Sequence, residues 1–309
     1  MSRLPCQKAL NLSITQRDLR LLDAVARFGA VERSWLRGVF YKGRSEGVAR
    51  RRLKRLKALG LLSHQQLEKG PRALRLSRQG IGQVVKLLGR SAEELSFTRA
   101  YSSQGSLNHL LRTAQVALGI ESLGLNLRVR SEPQVCHDGF RFQSQLRSGR
   151  RWTHQPDLLI SLTTHSQALL ALEVELTAKS KKRVLTNLEG YWQSPSVAYC
   201  LYLCSSSYVQ ENLEVLRRSL WESLSAQGDP LRADKILIVS LEEFLKSPLE
   251  CRLGSLQGPK GLLEVLEHME DSASWDHKPG FRGVYEVGQK TAGSAHPYQT
   301  QAEERRFLK

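Results

Sequence analysis

Three acidic side chains lie on two consecutive apolar stretches of the chain. Asp157 follows Pro156 at the start of the first stretch, and Glu173 and Glu175 alternate with apolar residues in the second. Because side chains alternate along a strand, the two glutamates point to one face of a sheet. A turn around residues 164–166 brings the stretches side by side, so that Asp157 can lie beside the glutamates. Adjacent carboxylates repel one another unless a cation neutralises them, and oxygen ligands favour Mg²⁺ or Mn²⁺.

A cation at this place would give the cluster a specific chemistry. It would lower the pKa of a bound water and stabilise the charge that develops as a phosphodiester is cleaved. Asp157, Glu173 and Glu175 are therefore candidate metal ligands and catalytic residues. Lys179 follows shortly after them and could supply a positive charge. The alternative is a metal-free domain, because acidic residues on half-exposed strands are common and short motifs arise by chance.

Alternating strand and helix patterns surround the acidic residues. Apolar alternation predicts strands at 127–135, 140–146, 157–162, 169–176, 197–204 and 235–239. Helical spacing predicts helices at 106–123, 179–192 and 208–224. Several strands followed by alternating helices and strands indicate an α/β (α+β) domain with a mixed central sheet.

The N-terminal part of the chain has a different pattern. Thr15 begins a first helix that ends at Phe28, a second helix spans 31–40, and Ser45 begins a third. Two alternating stretches at 61–67 and 73–76 flank a Lys-Gly-Pro-Arg turn, and a fourth helix spans 79–88. This order predicts a winged helix-turn-helix domain, in which the third helix enters the major groove of DNA and the hairpin contacts its backbone.

Basic side chains concentrate in the same part. The formal net charge is +16, and residues 1–100 hold 22 Lys and Arg against 7 Asp and Glu. Phosphates attract such side chains whatever the base sequence, and arginine can also read guanine edges. Arg52 and Lys57 are expected on the outer faces of the third helix as well, and a merely solvated charged face is the alternative. The predicted DNA contacts are Arg44, Arg50, Arg51, Lys54, Arg55, Lys69 and Arg72.

Length and composition indicate how many domains the chain can form and where the protein is located. The 309 residues suffice for two domains, expected at 12–90 and 106–268, with a linker at 91–105 and a flexible tail at 269–309. The chain opens without the apolar core of a signal peptide, and no apolar run is long enough to span a membrane. The five cysteines lack metal-binding spacing. These features predict a cytoplasmic protein with no membrane partner.

Two sets of residues resemble known families. The segment from Asp157 to Lys179 resembles the active site of the PD-(D/E)xK nuclease superfamily, with Glu175 in place of the usual lysine. Residues 14–205, which include this segment and the N-terminal helices, resemble the replication–relaxation proteins and class C mobilisation relaxases of plasmids. His109 and Glu132 also stand where similar proteins have a histidine and a glutamate. The matching segments are 14–22, 49–56, 60–62, 156–157 and 172–180, with Tyr191 one helix later.

The resemblance implies a fold and a function. It implies a restriction-endonuclease-like mixed-sheet domain that nicks DNA with Mg²⁺ or Mn²⁺, after the winged helix has recognised an origin of transfer in double-stranded DNA. Other mobilisation or coupling proteins would be its partners. Tyr191 is a weak candidate nucleophile, because an aromatic residue on the inner face of a helix is more often part of the core.

Three functions stay open at this point. The first is a metal-dependent relaxase, the second a non-enzymatic DNA-binding replication or transcription factor with a degenerate nuclease fold, and the third a restriction or repair nuclease. His154 and His165 flank the first acidic strand, where hydrogen-bonding or surface roles are expected of them. No Walker-type phosphate loop is present in the sequence, which argues against nucleotide hydrolysis.

Overall fold

The computed structural model describes residues 14–66, 72–89, 104–163, 168–226 and 234–273. Its first helix, α1 (Gln16–Phe28), begins with a capping box. The Asp18 carboxylate accepts a hydrogen bond from the Thr15 amide at 2.7 Å, and the Thr15 hydroxyl accepts one from the Asp18 amide at 3.3 Å. Gly29 ends the helix at a φ of 71°, a conformation that glycine adopts readily. Both ends of α1 agree with the sequence prediction.

The rest of the N-terminal part combines helices with a small antiparallel sheet. Its elements are β1 (Val31–Glu32), α2 (Arg33–Phe40), α3 (Glu46–Ala58), β2 (Leu62–Gln66), β3 (Arg72–Leu76) and α4 (Arg78–Leu88). Strand β3 lies in the middle of the sheet, antiparallel to both β1 and β2. The order of helices and hairpin is the predicted one. The short strand β1 occupies the start of what was predicted as helix, because its two residues pair with Ala73 and Leu74 of β3.

A larger mixed sheet forms the second part of the chain. The strands that follow are β4 (Leu127–Ser131), β5 (Phe142–Gln145), β6 (Arg151–His154), β7 (Leu158–Leu162), β8 (Leu169–Glu175), β9 (Val197–Cys204), β10 (Ile236–Ser240), β11 (Leu253–Ser255) and β12 (Gly258–Lys260). Among the described residues, seven of them form one sheet in the order β12-β11-β10-β9-β8-β7-β4. Strands β8, β9 and β10 are parallel, and their neighbours on both sides are antiparallel. The predicted mixed α/β architecture is thus confirmed.

Helices cover both faces of this sheet. They are α5 (Gln104–Glu121), α6 (Glu132–His137), α7 (Lys181–Gln193), α8 (Ser207–Ser225), α9 (Leu241–Lys246) and α10 (Leu262–Ala273). The first face carries Leu172 and Val174 and packs in one core with α5, α9 and α10. The second face carries Ala171 and packs with α7, α8 and the β5–β6 hairpin. The central strand β8 is therefore buried along its whole length.

Helix α5 also packs against the N-terminal part. Its residues Leu107, Leu110 and Leu111 form a buried cluster with Ala30 and Ala73. Two polar contacts accompany it. The guanidinium of Arg27 binds both carboxylate oxygens of Glu121, at 2.5 and 2.8 Å, and the Gln115 amide donates to Glu32 at 2.8 Å. One helix thus contributes to the packing of both parts.

Some predicted boundaries differ from the structure. The strand predicted at 127–135 ends at Ser131, and helix α6 follows, since Pro133 lacks an amide donor and favours the first turn of a helix. The helix α10 extends past Met269, where the tail was predicted to begin. Most of the predicted linker lies outside the described residues. No helix in the described ranges is long and apolar enough to cross a membrane.

Candidate functional site

The two glutamates lie in the most buried strand of the sheet. Glu173 and Glu175 end strand β8, and only 2% and 5% of their surfaces are exposed. Both belong to the second face, because they alternate with Leu172 and Val174. The metal-free alternative rested on acidic residues of half-exposed strands, whereas this strand is buried along its whole length. Burial of a carboxylate requires compensation by hydrogen bonds or cations.

Asp157 is held against the end of β8. It immediately precedes β7, whose first residue pairs with Leu172, so that Asp157 reaches the level of the glutamates. Its Oδ2 accepts a hydrogen bond from the Val174 amide at 2.7 Å and lies 3.1 Å from Nε2 of His109. The register between two antiparallel strands therefore brings the aspartate to the glutamates, as the sequence predicted.

His109 reaches the aspartate from helix α5. Its Nε2 lies 3.1 Å from both Asp157 Oδ2 and the carbonyl of Val174, so a proton on this nitrogen can be donated to both acceptors. Burial lowers the pKa of His109, but these acceptors outweigh it and raise the pKa to about 9. Near neutral pH the imidazole is thus positively charged and balances the charge of Asp157.

Glu173 is bound from the other face of the sheet. Nε2 of His154, on β6, lies 2.7 Å from Glu173 Oε1, and the hydroxyl of Tyr191 donates to the same oxygen. Burial lowers the pKa of His154, but the charge and hydrogen bond of Glu173 raise it overall. The ring of Tyr191 is fully buried, with edge contacts to Phe142 and Trp152. Burial raises the pKa of Tyr191 well above 10, so the phenol stays protonated.

Two further charged groups complete the cluster. Nζ of Lys179 lies 2.5 Å from Oε1 of Glu175, and burial raises the pKa of this glutamate although Lys179 opposes the shift. Glu132, at the start of α6, has a raised pKa because it is partly buried and faces the charge of Asp157. Its backbone amide donates to the Asp157 carbonyl at 3.0 Å. We call this set the acidic cluster: Glu132, Asp157, Glu173 and Glu175, with His109, His154 and Lys179.

The donor chemistry of the acidic cluster suits a hard divalent cation. Asp157, Glu173 and Glu175 each use one carboxylate oxygen in the bonds described above. The partners of these oxygens are His109, His154 and Lys179. In the described part of the chain, no three or more His, Cys, Asp and Glu side chains are grouped in a way that could hold a metal ion. A divalent cation bound by the same oxygens would compete with His109, His154 and Lys179.

The structure brings most of the predicted site residues together. Asp157, Glu173, Glu175 and Lys179 meet at one end of the sheet, and Tyr191 contacts this group through Glu173. His154 has the hydrogen-bonding role expected of it. His165 lies outside the described residues. His109 and Glu132 had been marked only by the family resemblance, because they come from elements distant in sequence whose approach to the carboxylates depends on tertiary packing.

A second candidate surface lies on helix α3, on the turn that precedes it and on strand β3. The side chains of the predicted DNA contacts are exposed there: Arg44, Arg50, Arg51, Lys54, Arg55 and Arg72. Lys69 lies outside the described residues. Arg52 was expected on the outer face, but its guanidinium turns inward and binds both carboxylate oxygens of the buried Asp18. The exposed surface keeps a strong positive charge without Arg52.

The fold and site define a mixed α/β protein with an acidic cluster at the end of its sheet and a basic helix in its N-terminal part. In comparisons with known proteins, no family model, no curated protein and no solved structure matches the chain. Its function must therefore be argued from the geometry of these two surfaces.

Proposed function

We propose that this protein binds double-stranded DNA through its N-terminal part and cleaves one strand at the acidic cluster. The observation that carries the proposal is the convergence of Asp157, Glu173 and Glu175, all largely buried, where β7 begins and β8 ends. Burial of three carboxylates is costly, and a protein that used this sheet only as a scaffold would have no need of it. Metal-dependent phosphodiester cleavage uses such a cluster.

The DNA-binding step rests on the geometry of the N-terminal part. Three helices precede a β-hairpin, which is the order of a winged helix-turn-helix, and α3 takes the place of the recognition helix. Its exposed Arg50, Arg51, Lys54 and Arg55 would enter the major groove, and Arg72 on β3 would contact phosphates. The inward-turned Arg52 would hold α3 against α1 and so fix the orientation of α3 in the major groove.

The cleavage step would use the residues of the acidic cluster. Asp157, Glu173 and Glu175 would hold Mg²⁺ or Mn²⁺, which when bound supplies an activated water and charge stabilisation. Lys179 would move from Glu175 to an oxygen of the scissile phosphate. His109 keeps Asp157 oriented through its hydrogen bond, and the Val174 amide fixes the same oxygen. Tyr191 and His154 would orient Glu173 in the same way.

A narrower role is proposed from the resemblance of residues 14–205 to mobilisation relaxases. In that role the protein would nick an origin of transfer and work with other mobilisation or coupling proteins. A restriction or repair nuclease would need the same acidic cluster, so the choice between these roles depends on the DNA that is cleaved.

The second candidate function is a DNA-binding factor that does not cleave. One observation favours it: each of the three carboxylates is already paired with a basic side chain, namely His109, His154 or Lys179. Such pairing neutralises the cluster without a metal ion. A replication or transcription factor with a retired nuclease site would show this arrangement.

Plasmid nicking in the presence of different metal ions distinguishes the two functions. Purified protein would be incubated with supercoiled DNA carrying its native origin region in Mg²⁺, Mn²⁺ or EDTA. We expect open circles only with metal, and none with Glu173→Ala or Asp157→Ala. A gel shift by the same variants controls for folding, because cleavage and binding are assigned to separate surfaces. Binding without cleavage under every metal would support the non-enzymatic factor.

A thermal-unfolding measurement tests the metal site independently of cleavage. A ligand that binds only the folded state raises the unfolding temperature. We expect Mn²⁺ to stabilise the wild type but not Glu173→Gln, which removes the charge and keeps the size of the side chain. Equal stabilisation of both proteins would mean that the metal binds elsewhere.

A further inference from the structure

A groove lies next to the acidic cluster, between the first turns of α7 and α8. Its volume is about 170 Å³, and one end is formed by Glu175 and Lys179. Buried Val209 and Leu213 form part of its wall, and Tyr208 and Asn212 lie along its rim. The groove thus combines an apolar wall, an aromatic ring and polar groups beside the Glu175 carboxylate.

Tyr208 is the most unusual feature of the groove. Its side chain is 65% exposed, whereas Tyr191, Tyr199 and Tyr202 of the same domain are buried. An exposed aromatic ring beside a groove offers a flat face on which another ring can stack. The core does not need this ring, because Val209 and Leu213 of the same helix supply the packing against the sheet.

The charges around the groove favour an anionic occupant. Lys181 lines the groove, the exposed Lys182 and Arg183 follow it in helix α7, and the first turn of that helix contains no acidic residue. Cations at the start of a helix oppose the helix dipole and are unfavourable by themselves. A phosphate group beside them would reverse that effect. A bound anion would therefore offset the unfavourable interaction between these cations and the helix dipole.

We propose that this groove binds an unpaired nucleotide of a single DNA strand. The base stacks on Tyr208 and contacts the apolar wall, while Lys181, which lines the groove, binds a flanking phosphate. The base must come from a single strand, because within a duplex both faces of a base are covered by its stacked neighbours. This inference deepens the proposed function: the groove would hold one strand so that its neighbouring phosphate reaches the acidic cluster.

Binding of a labelled single strand to the full-length protein tests the groove. The probe is a fluorescein-labelled oligothymidine of roughly 12 nucleotides, followed by anisotropy in EDTA so that cleavage plays no part. All proteins carry Arg51→Glu and Lys54→Glu, which weaken the other DNA-binding surface. We expect Tyr208→Ala to weaken binding by about tenfold, in keeping with the loss of one stacked base, and Tyr208→Phe to restore it. Lys181→Glu should weaken binding as well.

Two control variants match these substitutions. Val215→Ala removes another exposed apolar side chain of α8, and Lys246→Glu reverses an exposed charge on α9, which packs on the opposite face of the sheet. Both should bind like the parent protein. The inference is overturned if Tyr208→Ala binds as tightly as Tyr208→Phe, or if the controls lose as much affinity.

The same variants separate this inference from the proposed function. If the single strand binds through Tyr208 but no metal supports nicking, the groove assignment is supported and the cleavage proposal fails. If the wild type nicks DNA and Tyr208→Ala both nicks and binds the single strand equally well, cleavage stands and the groove assignment fails.

Discussion

At the scale of single residues, the ion pair between Asp18 and Arg52 has a clear energetic consequence. Asp18 is fully buried, and Nε of Arg52 lies 2.8 and 2.9 Å from its two oxygens. Removing one partner of such a pair leaves an uncompensated buried charge. We expect Arg52→Ala to lower the free energy of unfolding by about 3 kcal/mol in urea denaturation. The exposed neighbour Arg51→Ala should change it by less than about 0.5 kcal/mol, and equal effects would contradict the structural role of Arg52.

The same pair makes stability depend on pH. Burial raises the pKa of Asp18, but hydrogen bonds from Arg52 and Thr15 outweigh it and hold the pKa below the usual 3.8. Because the folded-state pKa is the lower one, the stabilisation is complete above about pH 4 and is lost as the pH falls through the folded-state pKa. The difference in unfolding free energy between wild type and Asp18→Asn should therefore be steady from about pH 5 to 7 and shrink below about pH 4. A difference that grows in acid would refute this assignment.

Tyr191 can be tested for the two roles considered for it. A phenol that is buried and donates to Glu173 remains protonated, which disfavours its action as a nucleophile. We expect Tyr191→Phe to cost about 1 kcal/mol of stability, the net value of one hydrogen bond. Nicking should fall by less than about tenfold, since only the orientation of Glu173 is affected. Complete loss of nicking by a folded variant would contradict a purely orienting role for Tyr191.

The placement of some site residues could be predicted from the sequence, and that of others could not. Glu173 and Glu175 could be assigned to one face because alternation along a strand is a local rule. The inward turn of Arg52 could not be predicted, because it depends on how α3 crosses α1. The same is true of His109, whose approach to Asp157 depends on how α5 packs against the sheet.

At the scale of elements, helix α7 packs so closely on the β5–β6 hairpin that one position requires glycine. A Cβ added at Gly190 would lie 2.2 Å from the Trp152 ring, whereas a Cβ at Gly119 in α5 meets nothing within 4 Å. Alanine is intrinsically better than glycine in a helix by about 1 kcal/mol. We expect Gly119→Ala to stabilise the protein by up to this amount and Gly190→Ala to destabilise it by about 1–3 kcal/mol. Thermal unfolding of both variants checks this, and stabilisation by Gly190→Ala would show that the contact is not tight.

Element order was easier to predict than element ends. The strands β7 to β10 and the helices between them follow the apolar periodicity closely, because each buries one continuous face. Strand β6 was not predicted, although it carries His154. Its four residues alternate in burial, but a strand that short gives a weak periodic signal. The hairpin of β11 and β12 is shorter still.

At the scale of the whole molecule, α5 joins the two surfaces that the proposed function needs. Its first half supplies His109 to the acidic cluster, and its last turn supplies Glu121 to Arg27 of α1. Leu107 and Leu110, on either side of His109, pack against Ala30 and Ala73 of the N-terminal part. Helix α5 therefore contacts both the N-terminal part and Asp157 of the acidic cluster.

The distribution of charge over the molecule leads to the last prediction. The positive excess lies in the N-terminal third, so the proposed DNA binding should depend on salt mainly through α3. Each lost phosphate contact lowers the slope of log K against log salt by about 0.9. We expect the double variant Arg51→Ala, Lys54→Ala to lower this slope by about 2 for duplex DNA, measured by anisotropy at several salt concentrations.

A second double variant provides the control for this measurement. Lys246→Ala and Arg252→Ala remove the same amount of exposed charge. Both residues lie between β10 and β11, toward the β11–β12 edge of the large sheet. If the α3 surface binds the phosphates, the control keeps the wild-type slope. Equal reductions by both variants would mean that total charge, and not α3, attracts the DNA, because a diffuse field does not distinguish between positions.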